Sequence, residues 1–429
     1  MPQRIAMISD HASPLAAVGS IDSGGQNIYV AETARQLAAC GYLVDVFTRK
    51  DEPSLPDIVD WLPGVRVVHV PAGPAAFIRK EAILPVMPEF AAFVERFVAA
   101  QRYDLAHAHF FMSGLVALQL KQALGLPFVV TFHALGLVRR LHQGSADEFP
   151  ARRVAIERDV MHGADAIVAE CPDDRHNLVT LYNADPRKIA VVPCGFAPED
   201  FWPIAPKFAR SVLGLPSAVP VLLSVGRLVP RKGVDNAVRA VGVLMRRFGM
   251  PAELLVVGGD SDIADPALTP EIGRLRAIAA EEGVADRVTF AGRRPRELLK
   301  LYYSAADVLI ATPSYEAFGM TAIEAMACGT PVVGARVGGL KYSVLDGHTG
   351  FLVQPNDPGA LAERINDVCC SPRLAERLSR MAVRRAYALF PWERVARSLA
   401  KLYADVQRAA VLPEAPAGAA RPRGVVAAA

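Results

Sequence analysis

Residues 314–330 read SYEAFGMTAIEAMACGT, and how their two glutamates are read decides how the rest of the chain is read. Glu316 precedes Gly319 in what the pattern predicts as a strand-to-helix turn, and Glu324 follows in the helix, eight residues on. A helix opening after a glycine presents unpaired backbone N–H groups around Phe318, Gly319, Met320 and Thr321 together with the positive end of its dipole, which suits a phosphate. Carboxylates on either side of such an anion site are placed to accept hydrogen bonds from hydroxyls. The plainer alternative is a helix start carrying surface glutamates, and the segment alone does not separate the two.

Outward from this turn, short apolar runs alternate with amphipathic stretches. Strands are expected at 4–9, 43–48, 65–70, 105–109, 128–132, 166–169 and 189–192, with helices between most of them, such as 26–39 ended by Gly41. The proline-rich segment 201–217 reads as a linker. The pattern then restarts at 221–225, 253–257, 287–291, 308–311 and 331–333. Strand–helix alternation with unbroken apolar strands implies two doubly wound α/β halves, Rossmann-like, with ligands held beyond the carboxyl ends of the strands in the cleft between them. The expected division is 1–205, 206–390, a helix at 391–411 that either crosses back to the first half or packs locally, and a disordered Ala/Pro/Gly-rich tail at 412–429.

Composition narrows the class. With 429 residues the chain exceeds one ordinary core, and a net charge of +3 argues against a nucleic-acid partner. Six cysteines without CxxC spacing read as small apolar residues of a reducing cytoplasm. The N-terminus reads as a strand rather than a signal peptide, and no run of 18 apolar residues occurs, so a spanning segment is not expected while peripheral membrane contact stays open. The stripe Phe90, Phe93, Val94 and Phe97 reads as core before membrane insert.

Other segments fall where ligands are expected. Gly24-Gly25-Gln26 follows the first strand and opens the first long helix; paired glycines let backbone approach a ligand closely, though a tight structural loop explains them too. VGRLVPRKG at 225–233 puts Arg227 and Lys232 at a strand end, where two cations neutralise a diphosphate, the alternative being a solvated basic turn. His133 ends a strand and is expected to touch a ligand. His107 and His109 share a strand face and read as packing or hydrogen-bonding residues; a metal site is disfavoured for want of a third ligand. No GxGxxG, Walker lysine, GxSxG or CxxC appears, which leaves no obvious covalent nucleophile.

Taken together, VGRLVPRKG, PSYEAFGMTAIEAMACGTPVV, the Gly338-Gly339 pair and DGHTGFLV, in this order, resemble the retaining glycosyltransferases of family 4, which have the GT-B fold. The resemblance covers roughly residues 4 to 409. It implies a nucleotide-sugar donor and a small-molecule acceptor, with Glu324 on the ribose, Glu316 on the transferred sugar's hydroxyls and Arg227 and Lys232 on the diphosphate. The Gly24-Gly25 backbone approaches from the other half, His133 contacts the donor hexose, and backbone at Arg293-Arg294 lies by the base. SDHASPL, SGGQNIYVAETARQLA, HAHFFMSG and TFHALG are similar to two branches, the inositol-phosphate glycosyltransferases and the sucrose and sucrose-phosphate synthases. The first branch implies an acceptor phosphate held by a Lys, a Tyr, a Thr and an Arg. Lys80 and, approximately, Arg153 match, whereas the hydroxyl positions carry Phe110 and Ala134. Gln26 and His109 join Lys80 and Arg153 as acceptor-side candidates.

The expected activity is thus a retaining transfer of hexose from an NDP-sugar, UDP-glucose first, to a sugar or cyclitol hydroxyl, without a metal or other cofactor, by a monomer or homodimer. Its rivals are a nucleotide-sugar epimerase on the same fold, a nicotinamide oxidoreductase, which lacks its fingerprint here, and a silent sugar-nucleotide binder, against which the intact charged residues argue.

Overall fold

A computed structural model of the protein describes residues 2–16 and 24–411; Ser23 and the expected tail lie outside the described residues. Fourteen strands form two sheets among these residues. The first contains β1 (Arg4–Ile8), β2 (Leu43–Arg49), β3 (Ile58–Leu62), β4 (Val65–Val70), β5 (Leu105–His109), β6 (Phe128–Thr131), β7 (Ala166–Ala169) and β8 (Ile189–Val191), in the order β3-β4-β2-β1-β5-β6-β7-β8. The second contains β9 (Val221–Val225), β10 (Glu253–Val257), β11 (Val288–Gly292), β12 (Val308–Ala311), β13 (Val332–Ala335) and β14 (Gly350–Val353), in the order β11-β10-β9-β12-β13-β14. Central strands such as LLVV of β10 are buried on both faces, so they read as continuous apolar runs and pair in parallel. The two α/β halves are those that the alternation implied, and they fit the GT-B fold that the family resemblance implied.

Two strands escape the pattern. β3 pairs antiparallel with β4 at the sheet edge and alternates exposed with half-buried residues, as an edge strand does. β14 is a four-residue run after a turn. The linker expectation at 201–217 needs correction, because a helix, Pro206–Leu213, lies within it. Pro206 occupies the first turn, where its missing N–H costs nothing, and Gly214 caps the end at φ 65°. Arg210 ties this helix to the second half through Asp307 at 2.6 Å and the carbonyl of Ala305 at 2.8 Å.

Phe90 and Val94 are fully buried, and Phe93 and Phe97 pack against the same core, so that stripe serves the interior. After the helix Pro372–Leu389, the chain bonds to the first half's exit segment: Phe196 N–H donates to Phe390 O at 2.8 Å and Trp392 N–H to Phe196 O at 3.1 Å. The helix Trp392–Val411 then lies on the first half. Trp392 meets the Tyr29 ring edge-on at 5.5 Å, and the Tyr403 hydroxyl sits 2.6 Å from His107 Nδ1. All six cysteines are free thiols.

Candidate active site

A cleft of about 610 Å³ opens where the carboxyl ends of the two sheets face each other. Its first wall comes from the loops after β1, β4, β5, β6, β7 and β8, and its second from those after β9, β10, β11, β12 and β13. Of the predicted residues, the structure brings Gly24, Gly25, Gln26, Lys80, His133, Arg227, Lys232, Arg294, Phe318, Gly319, Met320, Thr321, Glu316 and Glu324 to its lining.

The turn after β12 is built for close approach. Gly319 adopts φ 89°, which an L side chain rarely takes, and a Cβ there would lie 2.8 Å from Leu340 Cδ2. It caps the helix Met320–Ala327 with no side chain over the first turn, so the N–H groups stay open to the cleft. From the opposite half, Gly25 approaches so closely that a Cβ would stand 2.9 Å from the Met320 methyl. The Gly24 N–H donates to Asn27 Oδ1 at 3.0 Å, fixing the start of the helix Gly25–Ala39. Two helix N-termini therefore converge on one spot.

Cations surround that spot. Lys232 forms a short ion pair with Glu316, and Arg227 and Arg231 stand nearby. Burial by itself would raise the Glu316 carboxyl, but Lys232, Arg231 and Arg227 overcome it and hold the group ionised, below the usual carboxylate range. Burial lowers the Lys232 ammonium, with Glu316 opposing the shift. Deeper in, Glu324 is 2% exposed; its Oε2 accepts from the Tyr303 hydroxyl at 2.9 Å. Its Oε1 lies 2.8 Å from Arg296 Nη1 but out of line for a hydrogen bond, so this buried oxygen has no hydrogen-bond partner. Arg296 Nε and Nη2 are likewise without one, while its guanidinium lies 4.8 Å over the Phe201 ring. Polar atoms buried at a cleft wall without partners match a polar ligand.

His133 sits at φ 57°, a left-handed conformation unusual outside glycine, held from three sides. Its Nδ1 is 2.8 Å from Glu170 Oε1, its Nε2 is 3.1 Å from His109 Nδ1, and its ring meets Tyr29 edge-on at 4.9 Å. Burial drops His107 to about 3 and pushes His109 well down, so both are neutral near pH 7.

Two acceptor-side expectations require correction. His109 is fully buried behind His133 and does not line the cleft. Arg153 is 1% exposed, bonded to Glu157 at 2.8 Å and to the Ala134 carbonyl, and packed against the rings of Phe110, Phe111 and Phe149 at 4.5–4.9 Å. Glu157 also takes the Gly136 N–H at 3.0 Å and the Tyr182 hydroxyl, so the guanidinium holds together the loop after β6. Lys80 and Arg139 are the cations that the first half contributes to the lining. Arg139 is bound to Asp147 at 3.0 Å.

Sequence reasoning missed Arg231, Arg296 and Glu170. Arg231 lay in the quoted VGRLVPRKG stretch, and Glu170 directly follows an apolar strand, a position that favours ligand contact. Arg296 gave no local signal. The halves also touch directly: His142 stacks on Tyr315 at 5.1 Å, Gln143 donates to the Tyr315 hydroxyl at 2.8 Å, and Lys341 pairs with Asp173. Among the described residues no group of three or more His, Cys, Asp or Glu side chains is arranged to hold a metal, and no helix is long and apolar enough to cross a membrane.

Comparison with known proteins agrees with this geometry. The family described as "Glycosyl transferases group 1" matches residues 207–385, and the "Glycosyl transferase 4-like domain" matches residues 24–195. The chain is 42% identical to a D-inositol 3-phosphate glycosyltransferase of Acidothermus cellulolyticus, over 94% of this chain and 90% of that protein. It is 38% identical to the D-inositol 3-phosphate glycosyltransferase 2 of Catenulispora acidiphila, over 94% and 95%. Among solved structures, sucrose-phosphate synthase from Thermosynechococcus elongatus superposes with a TM-score of 0.86 at 36% identity, over 95% of this chain and all of that one. Two α/β halves, matches in both and near full-length relatives lead to one assignment: the chain belongs to the family 4 glycosyltransferases and is a glycosyltransferase of GT-B fold.

Proposed function

We propose that the protein moves a hexose, with retention, from a nucleoside-diphosphate sugar, UDP-glucose first among donors, to a hydroxyl of a small sugar or cyclitol. The observation that carries the donor half is buried Glu324, whose Oε1 is ion-paired to Arg296 but has no hydrogen-bond partner, in a cleft also lined by two helix N-termini and the cations Arg227 and Lys232. In this reading Glu324 accepts from the ribose, Glu316 from the hexose, Arg227 and Lys232 neutralise the diphosphate with the Gly25 backbone opposite, and residues near Arg294 border the base. The names of the relatives favour a phosphorylated acceptor, inositol phosphate or a sugar phosphate. Lys80, which like Gln26 lines the cleft, is the group to hold its anionic end.

The anomeric C–O bond breaks toward the diphosphate, which takes the electron pair. The acceptor oxygen bonds to the same face of the anomeric carbon, and its proton passes to the departing phosphate oxygen. Fixed cations and helix ends at that oxygen stabilise the transition state without reorganising. We propose that no metal is needed, because these groups already offset the leaving charge, and that the enzyme works in the cytoplasm as a monomer or homodimer. A trapped glycosyl-enzyme would overturn the front-side mechanism.

The test is a thermal-shift screen of NDP-sugars followed by product analysis with the best donor against inositol phosphate, sugar phosphates and their unphosphorylated forms. Donor consumption without an acceptor would favour epimerisation instead.

A further inference from the structure

Glu170 follows β7 and lines the cleft, yet it is only 3% exposed. Two donors converge on its Oε1: His133 Nδ1 at 2.8 Å and the Cys194 thiol at 3.3 Å. Its backbone N–H is taken by Asp174 Oδ2 at 3.1 Å, which fixes the main chain beneath it. An ionised carboxylate only accepts, so the proton between Glu170 and His133 sits on Nδ1. The other end of the imidazole gives the same answer. His109 Nε2 is buried without a partner, and a buried N–H left unmade is costlier than a bare ring nitrogen. The His109 proton therefore lies on Nδ1 and is donated to His133 Nε2 at 3.1 Å. The chain runs in one direction, His109 to His133 to Glu170, and leaves His133 neutral with a negative charge behind it.

We propose that Glu170 is the positioning residue for His133: it locks the imidazole as the Nδ1–H tautomer at the hexose end of the cleft and aims a carboxylate charge, one ring away, at the positive charge that develops on the sugar. This rests on the transfer reading above. The field between Glu170 on the first wall and Arg227, Arg231 and Lys232 on the second has the matching sense. Charge separation in the breaking C–O bond runs along that field, and an imidazolium in place of the neutral ring would oppose it.

The test uses the full-length protein, ¹⁵N-labelled at histidine, with His133 signals assigned by their loss in His133→Asn. Expected in wild type are a protonated Nδ1 and an unprotonated Nε2 on His133. In Glu170→Gln the amide offers Nδ1 either its oxygen or its NH₂ while His109 still faces Nε2, so an Nε2–H population is expected to appear beside the Nδ1–H form. With the best donor and acceptor, Glu170→Gln is expected to lower kcat about 100-fold with donor KM within about threefold, as for loss of tautomer control. Glu170→Asp should recover part of the rate, and adding Glu170→Gln to His133→Asn should cost nothing further. Nε2–H in wild type, no Nε2–H population at all in Glu170→Gln, or losses that multiply in the double variant would overturn the proposal. The spectra need no substrate: a correct tautomer in a protein that turns over no NDP-sugar would sink the transfer reading and leave the pair standing.

Discussion

Replacing Glu324 by Gln separates its binding role from its structural one. The amide keeps the volume and can still accept from the Tyr303 hydroxyl at 2.9 Å, but it removes the charge 2.8 Å from Arg296. Deleting one partner of a buried ion pair costs about 3–5 kcal/mol. Arg296 retains Asp200 at 4.0 Å and the Phe201 ring at 4.8 Å, and Gln still fills the site, so about 2 kcal/mol is the expected loss. For a domain of this size that lowers Tm by about 4–8 °C. A hydrogen bond from a ribose hydroxyl to a carboxylate contributes about 1.5–3 kcal/mol, so UDP should bind about 10- to 150-fold more weakly. Calorimetric titration of UDP well below the lowered Tm reads the second effect without the first. A fall in Tm with UDP affinity unchanged within twofold would refute the ribose role and leave Glu324 a structural residue.

Three further outcomes follow from the same geometry. Burial and the charge of Glu170 raise the Asp174 carboxyl from 3.8 to about 7, so the folded chain holds a proton that the unfolded chain releases, and stability falls as pH rises from about 4 to 7. Asp174→Asn should therefore gain several degrees in Tm over wild type at pH 8 and little at pH 4.5; a gain that does not grow with pH in melting scans would contradict this. Arg153→Met should cost about 3 kcal/mol by stranding buried Glu157, while acceptor KM stays within about twofold; the opposite pattern, intact Tm and a raised KM, would return Arg153 to the acceptor site. Trp392→Ala removes a fully buried indole between the last helix and Tyr29 and should cost about 3–5 kcal/mol, read as a lowered urea midpoint.

The architecture was legible because buried parallel strands such as Val221–Val225 and Glu253–Val257 must be continuous apolar runs. Edge strand β3 was not, since one wet face erases that signature, and the helix Pro206–Leu213 hid behind prolines that begin helices as readily as they end them. The second wall of the cleft was legible where its residues are close in sequence, as in residues 225–233 and 314–330. Arg296 reaches Glu324 only through the fold, and Arg153 was read as an acceptor-side cation because the phenylalanines that bury it come from distant positions 110, 111 and 149.

The central claim is that the Lys232/Glu316 pair and its surrounding cations handle the donor's diphosphate and hexose. Turnover of Lys232→Ala and Glu316→Ala, with the best NDP-sugar and acceptor, tests it most directly. Loss of one fixed electrostatic contact at the leaving oxygen costs about 10²–10³ in kcat, and a loss of at least that order is predicted in each variant. Unchanged turnover in both would contradict the account.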